Sequence, residues 1–440
     1  MTFSSHTKDI LFSEINRMDL ERDNFSKRPG LDFSRNRKLG FKDLIRFQIS
    51  MQSGSVNHEL MKYFCYHKDT PTLSAFYQQR RKLSDDVFQT LFYRFNSHYP
   101  PICYKNKFLL LACDGSSFSF TRNPKDLDSY YDPNGRSVNG FNQIHLVALF
   151  NLLSQRYLDA QIQPIRKKNE FLALSNLIDR FDPPPGTSPI FIADRGFHSY
   201  NVFAHAIEKG AYFLIRAKDI NTKRLLGNDF PDTDSFDVTV NRILTRTQSK
   251  KKHRHPLLED QYRYICKAVT FSYLPDDSDA EYPISLRVLR FPIGEDSFEN
   301  VITNLPEKEF PAMEIKSLYG MRWGIETSFC TLKHALGAIN LHSKKREMIT
   351  HELWARLILF NFCSIITAHT VSTCQKKKHV HQVNYTVAFQ ACHYFIRLHN
   401  GESPPDIEDL IRQHTLPVRP GRNYAHQHRF QIPVSFTYRF

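Results

Sequence analysis

The sequence predicts an α/β protein: a mixed five-stranded sheet with flanking helices, a β-rich insertion and an all-helical N-terminal domain. Three observations predict it. Short apolar runs of strand length recur at Phe108–Ala112, Ile190–Ala193 and Ala211–Lys218, the first separated by one residue from Asp114 and the second ending immediately before Asp194. Amphipathic helical stretches alternate with them, as in Asn169–Phe181 and Tyr200–Lys209. The first hundred residues carry helix-face spacing instead. A chain of 440 residues is too long for one simple core. The expected division is 1–100 for the helical N-terminal part, 101–220 and 309–370 for two parts of the α/β core, 221–308 for the insertion and 371–440 for a helical C-terminal region.

Composition narrows the class. An apolar fraction of 41% with 13% aromatics suits a packed protein and excludes a disordered one. A net charge of +14 and a pI near 9.3 point to a polyanionic partner, most simply nucleic acid. The 8 cysteines are scattered without a Cys-x2-Cys pair, which argues against a disulfide framework or a zinc ribbon. Cys374, His379 and His381 lack a second cysteine pair for zinc. No signal peptide or uninterrupted apolar run of membrane-spanning length is found, so a cytoplasmic protein is expected.

In chain order, residues 1–30 are polar and are expected to be loosely ordered. From Lys38, Phe41, Leu44, Ile45 and Ile49 recur at helix spacing. Residues 70–95 read as a short helix capped by Thr72 or Ser74, with Gln78, Gln79, Arg80, Arg81 and Lys82 exposed, then a second helix capped by Ser84 and Asp85. This pattern fits a helix–turn–helix for a major groove, and equally a packing domain with a solvated basic face. Asp114 is expected at the end of the first strand, although Asp-Gly is also a common turn pair. Ile144–Ser154 and Tyr157–Ile165 follow as two strands joined by a tight turn. Asp194 ends the fourth strand, and Ala211–Lys218 forms the fifth. Three strands, a helix, a strand, a helix and a strand make the element order of a ribonuclease-H-like sheet. Strands at Phe236–Leu244, Tyr262–Phe271, Ile284–Phe291 and Val301–Thr303, with Lys250–His255 in a hairpin loop, form an insertion outside that sheet. The C-terminal region offers helices at His351–Thr370 and Tyr385–Leu398, a Lys-rich loop at Lys376–Lys378 and a basic tail.

Pro311 to Gly337 reads as one long helix between a first-turn proline and a terminating glycine. At about 100° per residue, Tyr319, Arg322, Glu326 and Lys333 share one side, beside an apolar stripe of Met321, Ile325, Phe329, Leu332 and Leu336. The spacing also suits an ordinary Arg–Glu pair at i,i+4. Gly320 and Gly324 each cost about 1 kcal/mol of helix stability against alanine, which signals a demand for small size.

Three carboxylates, Asp114, Asp194 and Glu326, are remote in sequence but able to converge at one sheet edge. Clustered carboxylates repel, and hard divalent cations relieve the repulsion. Two Mg²⁺ ions about 3.5–4 Å apart suit in-line displacement at a phosphodiester, with Mn²⁺ as a substitute. Arg322 and Lys333 suit phosphate neutralisation, and Tyr319 offers a hydroxyl.

The set Tyr319-x2-Arg322-x3-Glu326-x6-Lys333, with Asp114-Gly-Ser and Asp194-Arg-Gly, resembles the signature of a family of bacterial transposases, the Tyr-Arg-Glu-Lys (insertion-sequence-four type) group of the Asp-Asp-Glu superfamily. The likeness covers about residues 35–370 in order of elements. It implies that Asp114, Asp194 and Glu326 are catalytic and hold the metals, and that Tyr319, Arg322 and Lys333 contact DNA phosphates. It further implies N-terminal binding of double-stranded inverted-repeat ends, strand transfer into target DNA, and a homodimer in the synaptic complex. Some members cleave through a hairpin with a flipped base on a tryptophan in the insertion. Here Trp323 and Trp354 lie outside it, leaving Tyr262, Tyr264, Phe271 or Tyr273 for such stacking. A non-transposing nuclease and a DNA-binding protein without catalysis are the competing readings.

Overall fold

The computed structural model describes residues 2–134, 138–247, 261–276, 278–294, 297–372, 381–398 and 405–417. Lys250–His255, Lys376–Lys378, Cys374 with His379, and the basic tail lie outside them. The N-terminal part comprises α1 (Phe3–Leu20), α2 (Phe41–Ser50), α3 (Val56–Tyr63), α4 (Leu73–Arg80) and α5 (Val87–Ser97). Then come β1 (Phe108–Phe120), β2 (Tyr130–Tyr131), β3 (Phe141–Asn151), β4 (Arg156–Pro164), α6 (Glu170–Arg180), β5 (Ser188–Ala193), α7 (Tyr200–Glu208), β6 (Tyr212–Ala217) and α8 (Asp219–Leu226). The chain continues through β7 (Phe236–Thr245), β8 (Tyr262–Tyr264), β9 (Glu281–Gly294), β10 (Ser297–Thr303), α9 (Ala312–Gly320), α10 (Trp323–His334) and α11 (Arg346–Ser372). It ends in β11 (His381–Val383), α12 (Tyr385–Arg397), α13 (Ile407–Gln413) and β12 (Thr415–Pro417).

The segment expected to be loose begins with an 18-residue helix. Thr2 caps α1 by accepting from the Ser5 N–H, and Leu11, Ile15 and Met18 are buried along one side. Lys8 donates to the carbonyls of Phe395 and Leu398, tying α1 to the end of α12. These helices share one continuous core with the sheet. Leu11, Leu44, Phe92, Leu110, Phe150, Ile325, Leu353 and Phe389 belong to a single buried cluster. α11 is long and apolar enough to cross a membrane, but 89% of its apolar window is buried inside the protein, as a central core helix.

The expected helix at residues 73–80 is present and capped by Thr72. Arg80, however, is 1% exposed and pairs with Glu352 at 2.8 Å. It lies one turn beyond the buried Phe76, on the inward side of the helix. The next helix starts from Asp86 rather than Ser84 or Asp85.

The sheet is larger than five strands. Its order is β2-β3-β1-β5-β6-β10-β9-β7-β8, with β4 also paired to β3, ten strands among the described residues. β1, β3 and β4 are antiparallel, and β1, β5 and β6 run parallel. The expected insertion strands extend this sheet, because β10 pairs antiparallel to β6 from Asn300–Ala217 to Thr303–Leu214. That pairing satisfies backbone groups that β6 would otherwise leave open at an edge. Leu286 and Val288 of β9 join the buried cluster of Val202 and Phe203 from α7. The strand expected over Tyr262–Phe271 is confined to Tyr262–Tyr264.

Candidate functional site

β1 and β5 position the first two carboxylates. The parallel pairing of these strands runs from Phe108–Ser188 to Cys113–Ala193. Asp114 and Asp194 are the next residues along each chain, so they stand at the same level of neighbouring strands. Asp194 is at a strand end, as expected. Asp114 is not: β1 continues to Phe120, held by antiparallel pairing to β3, with Asp114 opposite Ala148. The Asp-Gly pair is therefore strand and not turn, since β3 keeps the ladder going past the point where β5 stops.

The third carboxylate comes from α10. The segment expected as one helix is two, α9 and α10, joined at Met321–Arg322. Here the bonds tighten to i→i+3, with Arg322 N–H to Tyr319 O at 3.0 Å and Ile325 N–H to Arg322 O at 3.1 Å. Gly324 brings the second helix down on the sheet: a Cβ there would lie 3.0 Å from Leu152 Cδ2. Gly337, with φ +70°, follows the last turn.

The sequence-selected residues make the following contacts. Arg322, almost fully buried, holds Glu326 through Nη1–Oε1 at 2.7 Å. Tyr319, 4% exposed, donates its hydroxyl to Asp194 Oδ1 at 3.3 Å. The Lys333 ammonium lies over the Phe118 ring at 5.1 Å, and burial lowers its pKa while nearby Asp114 opposes the drop. Burial raises the Asp114 pKa from the ordinary carboxylate range to about 6. The Gly115 N–H and Arg322 pull it down, and Glu326 and Asp194 push it up. Thus both other carboxylates act on Asp114. Among the described residues, no three His, Cys, Asp or Glu side chains are already clustered for a metal ion. Glu326 is engaged with Arg322 instead.

Two residues expected to meet phosphate are buried in contact with the carboxylates. Tyr319 and Arg322 are packed residues that hold Asp194 and Glu326 in place. Arg322 Nε is buried and has no hydrogen-bond partner among the described residues. Of the four candidate stacking rings, Tyr264 is exposed, while Phe271 lines a cavity of about 410 Å³ with Phe171, His198 and Tyr200.

Sequence reasoning missed three further features. Tyr157 of β4 hydrogen-bonds Ser328 of α10, two residues past Glu326. His145 of β3 contacts both Ser117 and Glu170. A basic groove of about 680 Å³ is lined by Arg28, Arg35, Arg37, Lys38 and Lys82 together with Gln78 and Gln79 of α4. The run of Arg and Lys at 28–38 signals the groove, but the opposite wall comes from folding.

A model of the transposase DDE domain matches residues 105–362, more than half of the chain. A transposase for the insertion sequence element IS231F, from Bacillus thuringiensis subsp. israelensis, is 22% identical over 315 residues. The match covers 65% of this chain and 63% of that relative, so the chain spans less than two thirds of the relative's length. A piggyBac transposase, solved by electron cryo-microscopy as a synaptic complex with hairpin DNA, shows a TM-score of 0.44 at 10% identity over 94% of this chain and 84% of that one. With Asp114, Asp194 and Glu326 all inside the matched span, this chain belongs to the transposase DDE-domain family.

Proposed function

We propose that this protein is a DNA transposase that cleaves double-stranded DNA at inverted-repeat ends and joins the resulting 3′-hydroxyl to target DNA. The observation that carries this reading is the level placement of Asp114 and Asp194 on adjacent parallel strands, with Glu326 near enough to raise the Asp114 pKa. The order β4-β3-β1-β5-β6 supports a ribonuclease-H-like core, with β10-β9-β7-β8 added to its edge.

The donors fit a hard divalent cation. All three are carboxylates, and their mutual repulsion at Asp114 is what a cation relieves. Asp114, Asp194 and Glu326 would hold it. Bound as a pair, Mg²⁺ ions, or Mn²⁺ in their place, would supply activation of the attacking oxygen and stabilisation of the leaving oxygen. The chain's own residues do the rest. Tyr319 orients Asp194. Arg322 orients Glu326 and adds positive charge beside it. Lys333 adds positive charge beside Asp114. The groove between residues 28–39 and α4 is the proposed surface for duplex DNA, since Arg35 and Arg37 have no carboxylate partner among the described residues. Two DNA ends must be held together, which a homodimer would accomplish.

The test is Glu326→Gln. It should retain binding to inverted-repeat DNA and lose strand cleavage in Mg²⁺. Normal cleavage by this variant would sink the assignment. Release of cut products from a precut end, without joining, would replace transposase by nuclease.

A further inference from the structure

A polar chain lies directly behind Asp114, on the opposite face of the sheet. β1 alternates strictly here. Leu109, Leu111 and Cys113 pack in the cluster of α6 and α7, whereas Leu110, Ala112 and Phe118 pack in the cluster of α10 and α11. Asp114 therefore faces the α10 side and Gly115 the α6 side. On that second side His145, 2% exposed, is the cross-strand partner of Ser117. Its Nδ1 is 3.0 Å from Ser117 Oγ, and its Nε2 is 2.8 Å from Glu170 Oε1. Glu170 opens α6 immediately after the Asn169 cap, and the His145 contact holds its carboxyl below the usual range.

This pair presses on bare backbone. A Cβ on Gly115 would stand 2.6 Å from His145 Nε2 and 2.7 Å from Glu170 Oε1. The same glycine donates its N–H to Asp114 Oδ1 at 2.8 Å. Glycine inside a strand is the conformationally loosest residue available, and it follows the carboxylate that must be aimed.

We propose that the Ser117–His145–Glu170 chain is a positioning device for Asp114: it braces the Gly115 peptide from behind and thereby fixes the carboxylate for divalent-ion binding. The proposal rests on the reading of Asp114 as a metal ligand. Its physical basis is that supporting residues set the orientation of ligating carboxylates, and removing one costs about 10–100-fold in metal affinity.

The experiment uses the full chain and Mn²⁺ as probe, with affinity read by electron paramagnetic resonance and end binding read in parallel. Glu170→Gln and Gly115→Ala should each weaken Mn²⁺ binding by about tenfold or more and leave DNA affinity unchanged. Combined, they should be no worse than the harsher single change, because both break the same contact. Glu170 is partly exposed, so Glu170→Gln keeps the test open should Gly115→Ala fail to fold. Wild-type Mn²⁺ affinity in Glu170→Gln, or multiplying effects in the double variant, would overturn the proposal. Asp114→Asn is the control. If it too keeps Mn²⁺ affinity, the metal assignment falls and this inference goes with it.

Discussion

The Tyr157 hydroxyl on β4 meets Ser328 Oγ on α10 at 2.7 Å, with both side chains buried. The bond fastens the helix carrying Glu326 to the sheet carrying Asp114. Ser328 also donates to the Ile325 carbonyl at 2.7 Å, and the Tyr157 N–H donates to Asn361 Oδ1 of α11. Tyr157→Phe keeps the ring packing and removes one bond. The expected cost is about 1 kcal/mol in urea unfolding, with a fall in cleavage rate but no change in end binding. A variant with unaltered cleavage would show that Glu326 needs no such anchor.

Asp114 gives the protein a defined pH response. Its folded-state pKa, about 6, lies above the ordinary carboxylate value. The folded state therefore holds a proton that the unfolded state has released. In metal-free buffer, stability from this group is present at low pH and is lost as pH rises through about 6. The gap of roughly two pH units corresponds to about 3 kcal/mol at most. Asp114→Asn should melt with the wild type near pH 3.5 and above it at pH 7. Added Mn²⁺ should raise the melting temperature of the wild type alone. Calorimetry across pH checks both.

Arg35 and Arg37 test the DNA surface. Arg35→Ala/Arg37→Ala should weaken end binding and flatten the plot of log affinity against log salt, by about 0.9 for each phosphate no longer neutralised. Fluorescence anisotropy over a salt series measures the slope. An unchanged slope would exclude the groove.

Arg80 separates a packing role from a recognition role. It pairs with Glu352, which also accepts the His342 N–H at 2.6 Å. Arg80→Met leaves a buried carboxylate without its guanidinium partner and should cost up to about 3–5 kcal/mol. Arg80→Met/Glu352→Gln should recover part of that loss. Reduced DNA affinity at full stability would instead return Arg80 to the recognition surface.

What can be read in the sequence is local. Asp114, Asp194 and Glu326 stand out because apolar runs and helix spacing surround them, and those patterns survive folding. The pairing of β10 with β6 cannot be read, because alternation reports a strand and not its neighbour. α1 is hidden by polar residues between Leu11, Ile15 and Met18, whose burial depends on α11 and α5 arriving later in the chain. Arg80 is legible after all: its offset of four from Phe76 already places it inward. His145 is not, since only the β1–β3 register brings it to Ser117.

One buried cluster runs from Leu11 through Phe150 to Ile411 without a seam. A protein built this way cannot be engineered by swapping its front end. Severing the polypeptide near residue 100 would strip apolar cover from α11 and yield two sticky fragments, so the front end has to be altered by substituting surface side chains on an intact molecule.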